Sequence, residues 1–150
     1  MMMNQSKVGE AVSCFDSGFN CSQAILATYC GEFGFDKKTA LQIACGLGAG
    51  MGRLQETCGA VSGAYLLIGL KYGQHSKDDA SAKEKTYALV REFAKSFKER
   101  NKTTNCLELL GVDLTAGDRR TAMERVKIVC PKIIQDAAEI IERILFSSGI

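Results

Sequence analysis

The chain has 150 residues, 46% hydrophobic and 24% charged, and nineteen basic against seventeen acidic side chains leave a formal net charge of +2. Those values describe an ordinary globule with its own core, exclude disorder, collagen-like repeats and coiled coil, and give no footing for a nucleic-acid surface. Cysteine stands out: there are seven, an odd number that cannot pair completely within one chain.

The start, Met1-Met2-Met3-Asn4-Gln5-Ser6-Lys7, has no apolar run of signal-peptide length and no twin arginine. Nowhere do about 18 apolar residues run together as a membrane span requires. The expectation is a cytoplasmic chain, in which clustered thiols serve metals or redox chemistry more often than structural bridges.

Apolar residues recur at helical spacing almost throughout. Val8, Val12 and Phe15 predict a short first helix, and Ala24, Ile25, Thr28 and Tyr29 a second that ends near Gly31. Leu41, Ile43 and Ala44 suggest a third, from Asp36 to about Gly46. The segment from Cys58 to Tyr72 is apolar almost all round, as a central buried helix would be. Tyr87, Val90, Ala94 and Phe97 form a stripe between about Asp78 and Arg100, and Ala122, Val126 and Val129 form another. Ile133, Ile134, Ala137, Ile140, Ile141 and Ile144 mark the last helix, whose isoleucine-rich face would suit a homodimer. No run alternates like a strand. The expected fold is all-α, a compact single-domain bundle of about six to eight helices covering residues 1–150.

Between the third and central helices lies Gly46-Leu47-Gly48-Ala49-Gly50-Met51-Gly52. It fits neither phosphate-loop template, and no strand precedes it. Glycine at every second place predicts a loop of close backbone approach or positive φ, one that leads to Cys58 and is placed to wrap a cofactor. His75, the sole histidine, reads as surface in a polar turn.

Placed on these helices, four cysteines share a position. Asn20 with Gln23, and Asn105 with Glu108, have capping-box spacing that puts Cys21 and Cys106 in first turns. Thr57 puts Cys58 at the start of the central helix. Cys130 stands before Pro131, the favoured first helical residue. Unpaired N–H groups and the positive helix end stabilise a thiolate there, the form needed for metal ligation and disulfide exchange. Cys14, Cys30 and Cys45 read instead as small buried hydrophobes. The spacings of the four contain no CxxC, so the residues alone leave open whether they meet.

Several segments together resemble a bacterial and archaeal family. They are Phe19-Asn20-Cys21-Ser22-Gln23-Ala24, then Gly50-Met51-Gly52, then Thr57-Cys58-Gly59-Ala60-Val61-Ser62-Gly63-Ala64. Gly69-Leu70-Lys71-Tyr72-Gly73, Cys106-Leu107-Glu108-Leu109-Leu110-Gly111 and Cys130-Pro131-Lys132 continue the match. The chain resembles the C_GCAxxG_C_C family, whose members are described as redox-active, from about Phe15 to Leu145. Its four signature cysteines correspond to Cys21, Cys58, Cys106 and Cys130. The resemblance implies iron–sulfur binding and a redox partner protein, with oxidoreductases and transporters as candidates because their genes sit near members of the family. Some relatives carry a twin-arginine signal that this sequence lacks. A related domain accompanies haem in a split-Soret type cytochrome, but without CxxCH covalent haem attachment is excluded here.

The leading expectation is an electron-transfer protein that binds an iron–sulfur cluster, its type open, through Cys21, Cys58, Cys106 and Cys130. The alternative is metal-free thiol–disulfide chemistry, with any of three pairings. A structural zinc site of the same four is disfavoured because such sites keep ligand pairs a few residues apart. Neither a general acid–base pair nor a substrate pocket is legible, so whether the chain is an enzyme stays open.

Overall fold

The computed structural model describes residues 3–147. Among them the helices are α1 (Val8–Asp16), α2 (Cys21–Tyr29), α3 (Lys37–Cys45), α4 (Gly59–Tyr72), α5 (Ala80–Asn101), α6 (Cys106–Leu110) and α7 (Arg119–Phe146). A 3₁₀ turn, Cys30–Phe33, follows α2. Among the described residues there is no strand, only an isolated antiparallel bridge between Thr57 and Asn105. No helix among them is long and apolar enough to cross a membrane.

The central helix is α4, apolar all round as its sequence requires. Residues Gly59 to Ala64 are all buried, and Leu67 and Ile68 lie below them. It packs most closely on α2, because Gly59 and Gly63 let the backbones approach. A Cβ on Gly59 would stand 3.0 Å from the Ser22 nitrogen, and one on Gly63 3.0 Å from the Ser22 oxygen. On the far side of α4, Phe93 and Phe97 of α5 are fully buried, and Phe93 meets Tyr65 edge-on with ring centroids 5.9 Å apart. Such aromatic pairs add about 0.5–1.5 kcal/mol beyond the area they bury. Tyr87, expected in that stripe, is 52% exposed. The core register of α5 runs through Phe93 and Phe97 and turns Tyr87 outward.

The largest departure from expectation is α7. The two stripes around Pro131 are one helix of 28 residues with proline inside it. Pro131 cannot supply the N–H that its helix needs there, which costs about 3 kcal/mol. Beyond it, Ile133, Ile134, Ala137, Ile140 and Ile141 are buried against the core. Each large aliphatic among them contributes about 1.5–3 kcal/mol, so burial outweighs the missing bond and the helix runs through. Cys130 therefore lies in mid-helix and not at an N-terminus.

Polar contacts tie α7 to its neighbours. Tyr29 Oη and the Lys7 N–H both donate to Glu142, at 2.5 and 2.8 Å. Asp136, 7% exposed, accepts from Arg100 at 3.2 Å and Lys132 at 2.6 Å, joining α5 to α7. Burial pushes the Asp136 carboxyl up, but hydrogen bonds from Lys132, Arg100 and Asn101 outweigh it and hold the group below its ordinary value. A carboxylate lowered in the fold contributes stability above its unfolded pKa of about 4, and that stability is lost as pH falls through the folded value. Asp136→Asn is accordingly expected to lower stability at pH 7 by about 1–3 kcal/mol, as hydrogen bonds to charged groups do. Urea titrations should show the gap between variant and parent closing below pH 4; an equal gap at pH 3 and pH 7 would contradict it.

Candidate functional site

Cys21 opens α2, and the capping box that places it is complete. Asn20 Oδ1 accepts from the Gln23 N–H at 3.0 Å, while Gln23 Oε1 accepts from the Asn20 N–H at 2.9 Å. The Asn20 amide then donates to the Cys45 carbonyl at 2.9 Å, fixing the end of α3 against the start of α2.

Cys58 and Cys106, far apart in sequence, are held together by paired backbone. The Cys58 N–H donates to Thr104 O at 2.8 Å and the Cys106 N–H to Glu56 O at 2.7 Å, on either side of the Thr57–Asn105 bridge. Cys58 is the N-cap of α4 and Cys106 the first residue of α6. The second capping box is only half made: Asn105 Oδ1 accepts from the Glu108 N–H, but the Glu108 carboxylate turns to the Thr103 hydroxyl. Gln55, buried just before Cys58, accepts from the Leu114 N–H and donates to Val112 O, anchoring the chain that leaves α6. It also favours the Cys106 thiolate.

The glycine-rich passage forms a left-handed turn. Ala49 (φ 56, ψ 40) and Gly50 (φ 66, ψ 45) are followed by Met51, Gly52 and Arg53, also at positive φ. Each non-glycine residue held there costs roughly 1–2 kcal/mol. The surroundings over-determine the shape: a Cβ on Gly48 would fall 2.2 Å from the Asn20 side chain, and one on Gly50 2.6 Å from both Cys106 Cβ and Gln55 Cα. Both properties expected of these glycines, positive φ and close approach, are thus used, and they are used against Asn20 and Cys106.

Cys130 comes from α7, and the result is one cavity of about 920 Å³ bordered by Cys21, Cys58, Cys106 and Cys130. Each of the four is buried, at 5–8% exposure. Among the described residues no three His, Cys, Asp or Glu side chains close round a single metal-ion position. Of the other cysteines, Cys30 is buried as expected and Cys14 half-buried in α1, whereas Cys45 is exposed. It ends α3 on the side away from the core that Ala40 and Ala44 face. His75 lies exposed, as expected. The Ser62 hydroxyl donates back to Gly59 O within its own helix.

Helix-start placement does not yield low pKa values here. Desolvation pushes the Cys58 thiol up to about 12, although the Ala60 and Val61 N–H groups favour its thiolate, and pushes Cys106 up to about 11. Cys21 is raised by its hydrogen bond with Cys130 and by burial. Only Cys130 is lowered, because Cys21 donates a hydrogen bond to its sulfur. Burial in low dielectric wins over the helix dipole, which acts within a turn and is worth about 1 kcal/mol.

Gln55 was not evident in the sequence, since a lone glutamine beside a glycine run carries no signal of burial. Arg53, Val126 and Val129 also border the cavity. No curated protein and no solved structure matches the chain. A family model described as "Putative redox-active protein (C_GCAxxG_C_C)" matches residues 19–144. That span takes in Cys21, Cys58, Cys106 and Cys130 together with the whole glycine turn, and the chain belongs to this family.

Proposed function

We propose that the chain is an electron-transfer protein that holds an iron–sulfur cluster on the thiolates of Cys21, Cys58, Cys106 and Cys130. The observation that carries the reading is that four buried cysteines from α2, α4, α6 and α7 border one cavity. Four sulfur donors are the soft set that iron–sulfur clusters take. A single tetrahedral zinc on the same four donors, with bonds of about 2.3 Å, would add rigidity without redox activity.

Such a cluster, when bound, takes up and returns an electron. The chain's own part is to hold and tune. The Ala60 and Val61 N–H groups at the start of α4 favour the Cys58 thiolate, and N–H donors near sulfur are one lever on cluster potential. Burial of all four cysteines limits their contact with solvent. The Thr57–Asn105 clasp and Gly50 fix Cys58 against Cys106, so the ligands stay in place when charge changes. Protein purified without oxygen should contain iron and sulfide in stoichiometric amounts with visible absorbance. Absence of both after anaerobic reconstitution would sink the reading.

One observation favours a metal-free alternative. Cys21 and Cys130 border the same cavity, and Cys21 beside it holds the Cys130 thiol below its ordinary value. That is a nucleophile beside its resolving thiol, as disulfide exchange needs. A free-thiol count that falls by two in oxidised glutathione buffer, in protein without iron, would select it.

A further inference from the structure

The cavity is much longer than its thiol end. Along α7 it is bordered from Ile133 and Cys130 back to Arg119, and Arg119 to Cys130 alone spans about 16 Å of helix at ~1.5 Å per residue. Ala122, Val126 and Val129 make that wall apolar, and Phe15, Leu109 and Leu114 also line the cavity. Val126 and Val129 are half-buried: they pack against the core and also border the cavity.

The charges at the rim have one sign. Arg53, Arg119 and Lys127 border the cavity, and Asp16 is its only carboxylate. All three cations are exposed, and among the described residues none of them forms an ion pair. Arg53 is also held at φ 69, a left-handed conformation that a non-glycine residue keeps only under constraint, and such strain gathers at ligand sites. An apolar trough, cationic at its rim and leading to the thiols, is complementary to one kind of occupant.

We infer that the trough binds an apolar organic anion, a molecule with a hydrocarbon or aromatic body and a carboxylate or sulfonate head. The body lies along Val126 and Val129 toward Cys130, and the head meets Arg119, Lys127 and Arg53. Binding of this kind does not depend on whether the thiols carry a cluster, so failure of one reading leaves the other standing.

The probe is decanoate, titrated calorimetrically into the protein as isolated without oxygen, with decyltrimethylammonium as the control of opposite charge. Saturable 1:1 binding of decanoate is expected, with none of the cation. The double charge reversal Arg119→Glu and Lys127→Glu, at exposed positions that leave the core untouched, should weaken decanoate by about tenfold or more, a loss of ~1.4 kcal/mol per decade. Glu124→Lys, on the same helix but away from the cavity, should bind as the parent does. Absence of saturable binding, equal binding of both amphiphiles, or indifference to the charge reversal would overturn the inference. So would sedimentation showing a dimer that the same reversal disperses, which would assign the trough to a second copy of the chain.

Discussion

Gly50→Ala is expected to destabilise the fold by about 2–5 kcal/mol and to expose the Cys106 thiol. Two effects add. The φ of +66 is left-handed, so any Cβ costs roughly 1–2 kcal/mol from backbone strain alone. The new methyl would also stand 2.6 Å from Gln55 Cα and 2.7 Å from the Glu56 nitrogen, neither of which can rotate away. Relief must come from moving the 55–58 segment, whose pairing with residues 104–106 holds Cys58 beside Cys106. Gly52 shares the positive φ but has open space, its nearest atom being 3.9 Å off. Gly52→Ala should therefore lose only the strain part, about 1–2 kcal/mol, and Gly46→Ala, at ordinary φ with nothing near, should lose almost none. Denaturant midpoints of the three variants, with alkylation rates at Cys106, check the order; equal losses at Gly50 and Gly52 would show that the contact with Gln55 is unimportant.

Gly63→Leu is the second large effect, with an expected loss above about 3 kcal/mol, whereas Gly63→Ala should lie near neutral. A Cβ at Gly63 would sit 3.0 Å from Ser22 O and 3.2 Å from Ile25 Cβ. One methyl asks the neighbours to give by a few tenths of an ångström, and the gain in helix propensity of about 1 kcal/mol over glycine offsets that. A leucine must push α2 off α4, and Cys21 and Cys58 stand at the starts of those two helices. The readouts are thermal denaturation and the iron content of anaerobically prepared protein. A Gly63→Leu variant that keeps both would contradict the close α2–α4 contact as the support of the site.

The helical architecture and three of the four cysteine positions were legible because caps and apolar period are local signals. Asn20 and Gln23 announce Cys21 whatever the rest of the chain does, and Asn105 announces Cys106. The stop at Pro131 was misread for the same reason. A proline is a local break, but the isoleucines beyond it belong to a core that only the assembled α1, α2, α4 and α5 supply. The Thr57–Asn105 clasp was invisible, because two backbone segments pairing over that separation leave no pattern in either. The thiol pKa values were misjudged in direction at Cys21, Cys58 and Cys106, since the helix dipole can be read from sequence whereas desolvation depends on the completed fold. The trough was not legible because a stripe of alanine and valine looks the same whether it faces a helix or an open channel.

Iron bound per chain in the seven single Cys→Ser variants, each prepared and reconstituted without oxygen and checked for helicity, is the measurement that decides whether four thiols act as one centre. Loss of iron is expected for Cys21→Ser, Cys58→Ser, Cys106→Ser and Cys130→Ser. Iron at the parent level is expected for Cys14→Ser, Cys30→Ser and Cys45→Ser, whose sulfurs do not border the cavity. Full iron in a variant of the first four, or a folded Cys30→Ser protein without it, would contradict the assignment.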